Sequence, residues 1–105
     1  MKDNPDHFNI LRQIKSNPNS TQRELAKGLG FSLGKLNYCL NALKEKGFVK
    51  IQNFKAQKNK MKYVYILTPK GISQKTKLTI NFMKRKMVEY DDLKKELGDA
   101  DVGSN

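Results

Sequence analysis

Residues 21–47 read TQRELAKGLGFSLGKLNYCLNALKEKG, and the spacing of their capping and apolar residues decides the fold. Thr21 and Glu24 stand three apart, so each side chain can bond the other's backbone amide and cap a helix. Leu25, Ala26 and Leu29 then give a short helix one inward face, and Gly28 and Gly30 are expected to close it. After a turn of three or four residues Ser32 opens another helix, in which Leu36, Leu40 and Leu43 recur at four and three. Cys39 sits beside that stripe, and the remaining face shows Lys35, Asn37, Tyr38, Asn41 and Lys44 before Gly47 stops the helix. Two short amphipathic helices joined by so tight a turn are a helix-turn-helix.

Upstream, Phe8, Leu11 and Ile14 share one helical face over residues 8–15, flanked by Ile10, and Asn17-Pro18-Asn19-Ser20 ends that helix. Downstream the apolar period drops from about 3.6 to 2. Val49, Ile51 and Asn53 alternate with Lys50, Gln52 and Phe54, and Tyr63, Tyr65 and Leu67 alternate with Val64 and Ile66. The polar stretch 55–60 between these runs reads as the loop of an antiparallel hairpin, with Lys55, Lys58 and Lys60 keeping its edge soluble. Thr68 and Pro69 open a last helix that nothing breaks until about Leu97, a length of about 40 Å.

Within that helix Ile80, Met83, Met87 and Tyr90 fall at three-four-three spacing, and Leu97 continues the seam after Lys94 interrupts it. So small a domain cannot cover all of so long a helix, so a partner helix is expected on the seam, against the alternative that the seam packs back on its own domain. The spacing therefore predicts an α+β, mainly helical chain: a winged helix-turn-helix with a two-stranded wing and a long C-terminal dimerisation helix. Residues 5–68 form the winged domain, 69–97 the dimerisation helix, and 98–105 an acidic tail expected to be disordered.

Charge narrows the function. The 105 residues carry 21 Lys and Arg against 10 Asp and Glu, a formal charge of +11. From Lys46 to Val88 there are twelve basic residues and no acid, whereas six of the ten acids lie beyond residue 88. A one-signed surface of that kind draws in polyanions, nucleic acid before an anionic membrane.

Other chemistry has little to stand on. His7 is the only histidine and falls in an N-terminus expected to be mobile, so a histidine triad or metal centre is not expected, nor is any cofactor. Asp91 and Asp92 are adjacent and point apart on a helix. There is no phosphate-binding glycine loop and no apolar run of spanning length, no secretory leader is expected, and the single cysteine forms no internal disulfide. The chain is expected to be a cytoplasmic protein and not an enzyme. Cys39 as a redox sensor is set against its plainer reading as a small buried residue.

In a helix-turn-helix the second helix enters the major groove and the first crosses the phosphate backbone. Here the reader would be the helix from Ser32 to Lys44. Asn37 and Asn41 suit adenine, Lys35 suits guanine or phosphate, and Tyr38 suits phosphate or a thymine methyl. Gly34 removes a side chain where close approach is needed. Thr21, Gln22 and Arg23 stand at a helix N-terminus that favours phosphate. Lys55, Lys58, Asn59, Lys60 and Lys62 on the wing would meet the sugar-phosphate edge or the minor groove.

Three strings carry a family resemblance: Thr21-Gln-Arg-Glu-Leu-Ala-Lys27, Ser32-Leu-Gly-Lys-Leu-Asn-Tyr-Cys39, and Leu67-Thr-Pro-Lys-Gly71. With Lys46-Gly-Phe-Val-Lys50 they resemble the MarR-type winged-helix regulators, in particular the short subgroup associated with exopolysaccharide gene clusters, over residues 8–97. The resemblance implies a homodimer that binds double-stranded operator DNA and controls transcription, and the seam spacing puts Ile80, Met83, Met87, Tyr90 and Leu97 at the expected dimer interface. It departs from the longer members, whose extra N-terminal helix helps build the dimer and a ligand pocket. Dimerisation is therefore expected to rest chiefly on the C-terminal helix, and a small-molecule effector stays unassigned. A protein-interaction module built on the same scaffold is the rival reading.

Overall fold

Six elements follow one another: α1 (Pro5–Ser16), α2 (Gln22–Leu29), α3 (Leu33–Glu45), β1 (Val49–Gln57), β2 (Lys60–Leu67) and α4 (Pro69–Ser104). They come from a computed structural model that describes residues 4–57 and 60–104, with side-chain surroundings for 4–53, 55 and 61–98.

α1 begins earlier than its apolar pattern implies, because Asn4 caps it. The Asn4 side chain accepts from the amides of Asp6 at 2.9 Å and His7 at 3.2 Å, with Pro5 in the first turn. His7 is thus not in a loose N-terminus but in the first helical turn, where burial, aided by Lys46, lowers its pKa. The α2 box forms as spaced: Glu24 N donates to Thr21 Oγ1 at 3.2 Å and Thr21 N to Glu24 Oε1 at 2.8 Å. That amide bond holds the Glu24 carboxyl below its ordinary pKa. Gly30 ends α2 in the left-handed conformation (φ 71°). Gly28 does not close the helix. It lies inside α2, where an added Cβ would stand 2.5 Å from Gln13 Nε2 on α1.

Ser32 caps α3 by accepting from Lys35 N at 3.1 Å, and Gly47 (φ 79°) turns the chain out of it. Phe8, Ile10, Leu11 and Ile14 of α1, Leu25 and Ala26 of α2, and Leu36, Cys39, Leu40 and Leu43 of α3 form the buried core. Burying one leucine of this kind contributes about 1.5–3 kcal/mol, so the core is the main source of stability.

β1 and β2 pair antiparallel from Val49↔Leu67 to Gln57↔Lys60, with a register shift between Lys55 and Gln57. The expected six-residue loop 55–60 is therefore mostly strand. Strict alternation also fails at the base, where the neighbours Val64 and Tyr65 are both buried. The reason is tertiary: β2 is packed by α1, α2 and α4. In addition Tyr65 N donates to Ser20 O at 3.2 Å, so the segment before α2 occupies the free edge of β2. Towards the tip no helix covers the ribbon, and Ile51, Met61 and Tyr63 are exposed.

α4 is locked to the wing's base. Thr68 N donates to Phe48 O at 3.0 Å, Thr68 Oγ1 donates to Gly47 O, and Gly71 N donates to Thr68 Oγ1 at 3.0 Å. A Cβ on Gly71 would lie 1.9 Å from Phe48 O, so only glycine lets the first turn of α4 sit there. Leu78 is buried and Phe82 stacks on Phe8 at 4.6 Å between centroids.

Beyond that point α4 leaves the domain, and every residue from Met83 to Gly98 is exposed. A compact chain of this length has a radius of gyration of about 13 Å. This one measures 18.7 Å, with extents of 70 × 24 × 21 Å. The disordered tail expected over 98–105 is corrected for 98–104, which remain helical. No proline intervenes, and Gly98 does not take the left-handed conformation that ends α2 and α3. Among the described residues no helix is long and apolar enough to cross a membrane, and no cluster could hold a metal.

Candidate nucleic-acid interface

The polar face of α3 projects from the domain and α4 does not cover it. At about 100° per residue, Gly34, Tyr38 and Asn41 lie opposite the buried stripe, with Asn37 and Lys44 on one shoulder. All five are exposed, and Tyr38, at 78%, is the most exposed of the large hydrophobic residues described. Asn37 and Asn41 stand one turn apart, so two carboxamides are presented side by side.

Lys35 falls on the other shoulder. Its Nζ lies 3.3 Å from Asp6 Oδ2 and 4.2 Å from the Phe31 ring centroid. The structure therefore separates Lys35 from Asn37, which the sequence grouped together. So exposed an ion pair is worth about 0.2–1 kcal/mol, so Asp6 holds Lys35 only weakly. Gly34 is notable for what is missing around it: an added Cβ would meet nothing within 4 Å. Glycine inside a helix costs about 1 kcal/mol relative to alanine. Among the described residues no contact from another element accounts for it.

Ser32 and Thr21 are spent on capping. Gln22 is half-buried and Arg23 exposed at the start of α2. Lys62 of the wing comes within 3.9 Å of Glu24, which brings it to the same helix end. Lys55 is exposed on β1, opposite Met61. Lys60 begins β2, while Lys58 and Asn59 lie outside the described residues. Sequence reasoning missed Tyr63, 64% exposed on the wing, because alternation grouped it with the buried Tyr65. Burial pushes the Cys39 thiol up, which disfavours the reactive thiolate.

A helix-turn-helix whose second helix exposes a polar face, followed by a β-hairpin and a return helix, defines the winged helix-turn-helix class. The family described as winged helix-turn-helix DNA-binding matches residues 7–50. No curated protein matches the chain. Among solved structures the chain resembles a MarR family transcription regulator, with TM-score 0.71 and 17% identity over 82% of this chain and 56% of that one. The apo form of MarR from E. coli matches with TM-score 0.65 and 26% identity over 72% and 55%. A complex of S. aureus MepR with DNA matches with TM-score 0.69 and 19% identity over 82% and 61%. The chain has the winged helix-turn-helix fold seen in MarR structures, and spans less than two thirds of these three proteins.

Proposed function

We propose that the chain is a sequence-specific double-stranded-DNA-binding transcription regulator that acts as a homodimer. The observation that carries this reading is the uncovered α3 face of Gly34, Asn37, Tyr38, Asn41 and Lys44 on a chain of formal charge +11. Asn37 and Asn41 read base edges, Tyr38 contacts backbone or a thymine methyl, and Lys35 is a phosphate contact released from Asp6. Arg23, Gln22 and the α2 amides hold phosphate at the first helix. Lys55, Lys58, Asn59, Lys60 and Lys62 follow the backbone along the wing. Ile80, Met83, Met87, Tyr90 and Leu97 join the two copies. The cytoplasm is the compartment this function requires, and no effector is assigned.

The genes controlled are those of exopolysaccharide synthesis, on the strength of the Ser32–Cys39 and Leu67–Gly71 strings alone. Selection of bound fragments from random and genomic duplexes tests both levels. Enrichment of one pseudo-palindromic motif, with relaxed preference at one base in Asn37→Ala, supports base reading. Equal binding of all duplexes removes specificity, and enrichment away from polysaccharide genes removes only the regulon.

The exposed stripe of α4 also favours a second reading, in which the winged fold is a scaffold and α4 binds a different protein. Failure to retard random duplex at low salt would select that reading.

A further inference from the structure

We infer that two copies of α4 pair antiparallel about a midpoint between Val88 and Glu89, and that this register sets the spacing of the two reading helices. The inference rests on the homodimeric reading above and adds orientation and register.

The first observation is the stripe itself. Ile80, Met83, Met87, Tyr90 and Leu97 are 47–63% exposed, and Met83, Met87 and Tyr90 border one apolar hollow edged by Lys86 and Asp91. With Lys94 included, the seam positions step by 3, 4, 3, 4 and 3, a pattern that reads the same from either end. Reversed about the midpoint, Ile80 meets Leu97 of the second copy, Met83 meets Lys94, and Met87 meets Tyr90. The Lys94 stem then lies along Met83 while its ammonium reaches water. A parallel pair would instead oppose Lys94 to its own copy in the seam.

Charge makes the same choice. Residues 80–88 hold Lys84, Arg85 and Lys86 and no acid, whereas 89–97 hold Glu89, Asp91, Asp92 and Glu96 against Lys94 and Lys95. Antiparallel pairing lays the basic segment of each copy on the acidic segment of the other. Lys84 and Asp91 each follow a seam residue, Met83 and Tyr90, and so flank the seam on the same side. They therefore oppose one another twice, once at each end of the dyad. Parallel pairing sets basic against basic and acidic against acidic.

The domain's attachment is compatible with one operator. The residues that face the domain, Gly71, Leu78 and Phe82, lie about a third of a turn from the seam around the helix. A twofold axis normal to the helix pair then carries both domains to the same side of it. Leu78 is about 16 Å from the midpoint at 1.5 Å per residue, so the two attachment points are about 32 Å apart. One turn of duplex separates adjacent half-sites by about 34–36 Å.

Orientation is tested without DNA. Spin labels at Val88→Cys and, separately, Lys95→Cys in a Cys39→Ala background occupy equivalent places beside the seam. The antiparallel pair places the residue-95 labels about 20 Å apart along the axis and the residue-88 labels nearly level. Equal distances at the two sites, or no pair distance at all, overturns the inference. Lys84→Asp should weaken self-association on the order of tenfold, and Lys84→Asp with Asp91→Lys should restore it; a double variant weaker than either single one overturns the register. Dimers that ignore duplex DNA would sink the regulator reading and leave this one standing. A monomer that still selects one duplex would do the reverse.

Discussion

α3 and the outer half of α4 are both amphipathic helices with apolar residues at three-four spacing, yet they end in opposite surroundings. Leu36, Leu40 and Leu43 are at most 1% exposed, whereas Met83, Met87, Tyr90 and Leu97 are 57–63% exposed. The α3 stripe is covered by α1, α2 and β1, which the turn and the wing fold back onto it. The α4 stripe passes beyond every other described element. An apolar period therefore specifies that a face needs a cover. It does not say which chain supplies it.

The widest separation between the two regions should come from truncation. Leu40→Ala should cost about 2–5 kcal/mol of domain stability through lost burial and a cavity. Met87→Ala should change monomer stability by no more than about 0.5 kcal/mol, since Met87 is exposed and no other described element packs on it. Denaturant unfolding at concentrations low enough to keep the chain monomeric measures both; equal losses would erase the distinction.

Gly71→Ala probes the joint between the regions. Its Cβ would collide with the Phe48 carbonyl, and relieving that overlap should cost about 1–3 kcal/mol or more. Unfolding with an unchanged midpoint would show that α4 docks more loosely than described.

Gly34→Ala should move stability and function in opposite directions. The added methyl meets no other described part of the chain within 4 Å, so the helix should gain about 0.5–1 kcal/mol. Affinity for duplex DNA should fall, since the methyl stands on the α3 face proposed to enter the groove. A variant that is more stable and binds equally well would leave Gly34 without a role on that face.

The smallest effect concerns His7, whose pKa is lowered chiefly by burial and then by Lys46. Folding favours its neutral form, so this stabilisation is present above about pH 6.5, the ordinary imidazole value. It is lost as pH falls below that value towards the lowered one. Melting temperature should therefore decline between pH 7 and 5, and less so in His7→Gln. Parallel profiles for the two proteins would remove His7 from the account.

Much of the winged domain was legible because its signals are local. The Thr21–Glu24 box, the Ser32 cap and the Gly30 and Gly47 stops each depend on atoms within a few residues. What escaped depended on distant partners. Lys35 turns to Asp6, which lies on another helix. Val64 and Tyr65 are buried together because helices and the Ser20 segment reach β2 from more than one direction. The need for glycine at position 71 lies in the Phe48 backbone, which no local pattern exposes.

Residue order alone determined where α2 and α3 start and stop and which face of each is apolar, since capping geometry and helical period act over a single turn. Tertiary packing decided which of those faces are satisfied within the chain and which polar face of α3 is left open. It also decided that α4 carries its stripe past the domain. Burial is a property of what lies across from a surface, and that is set only when the elements are placed.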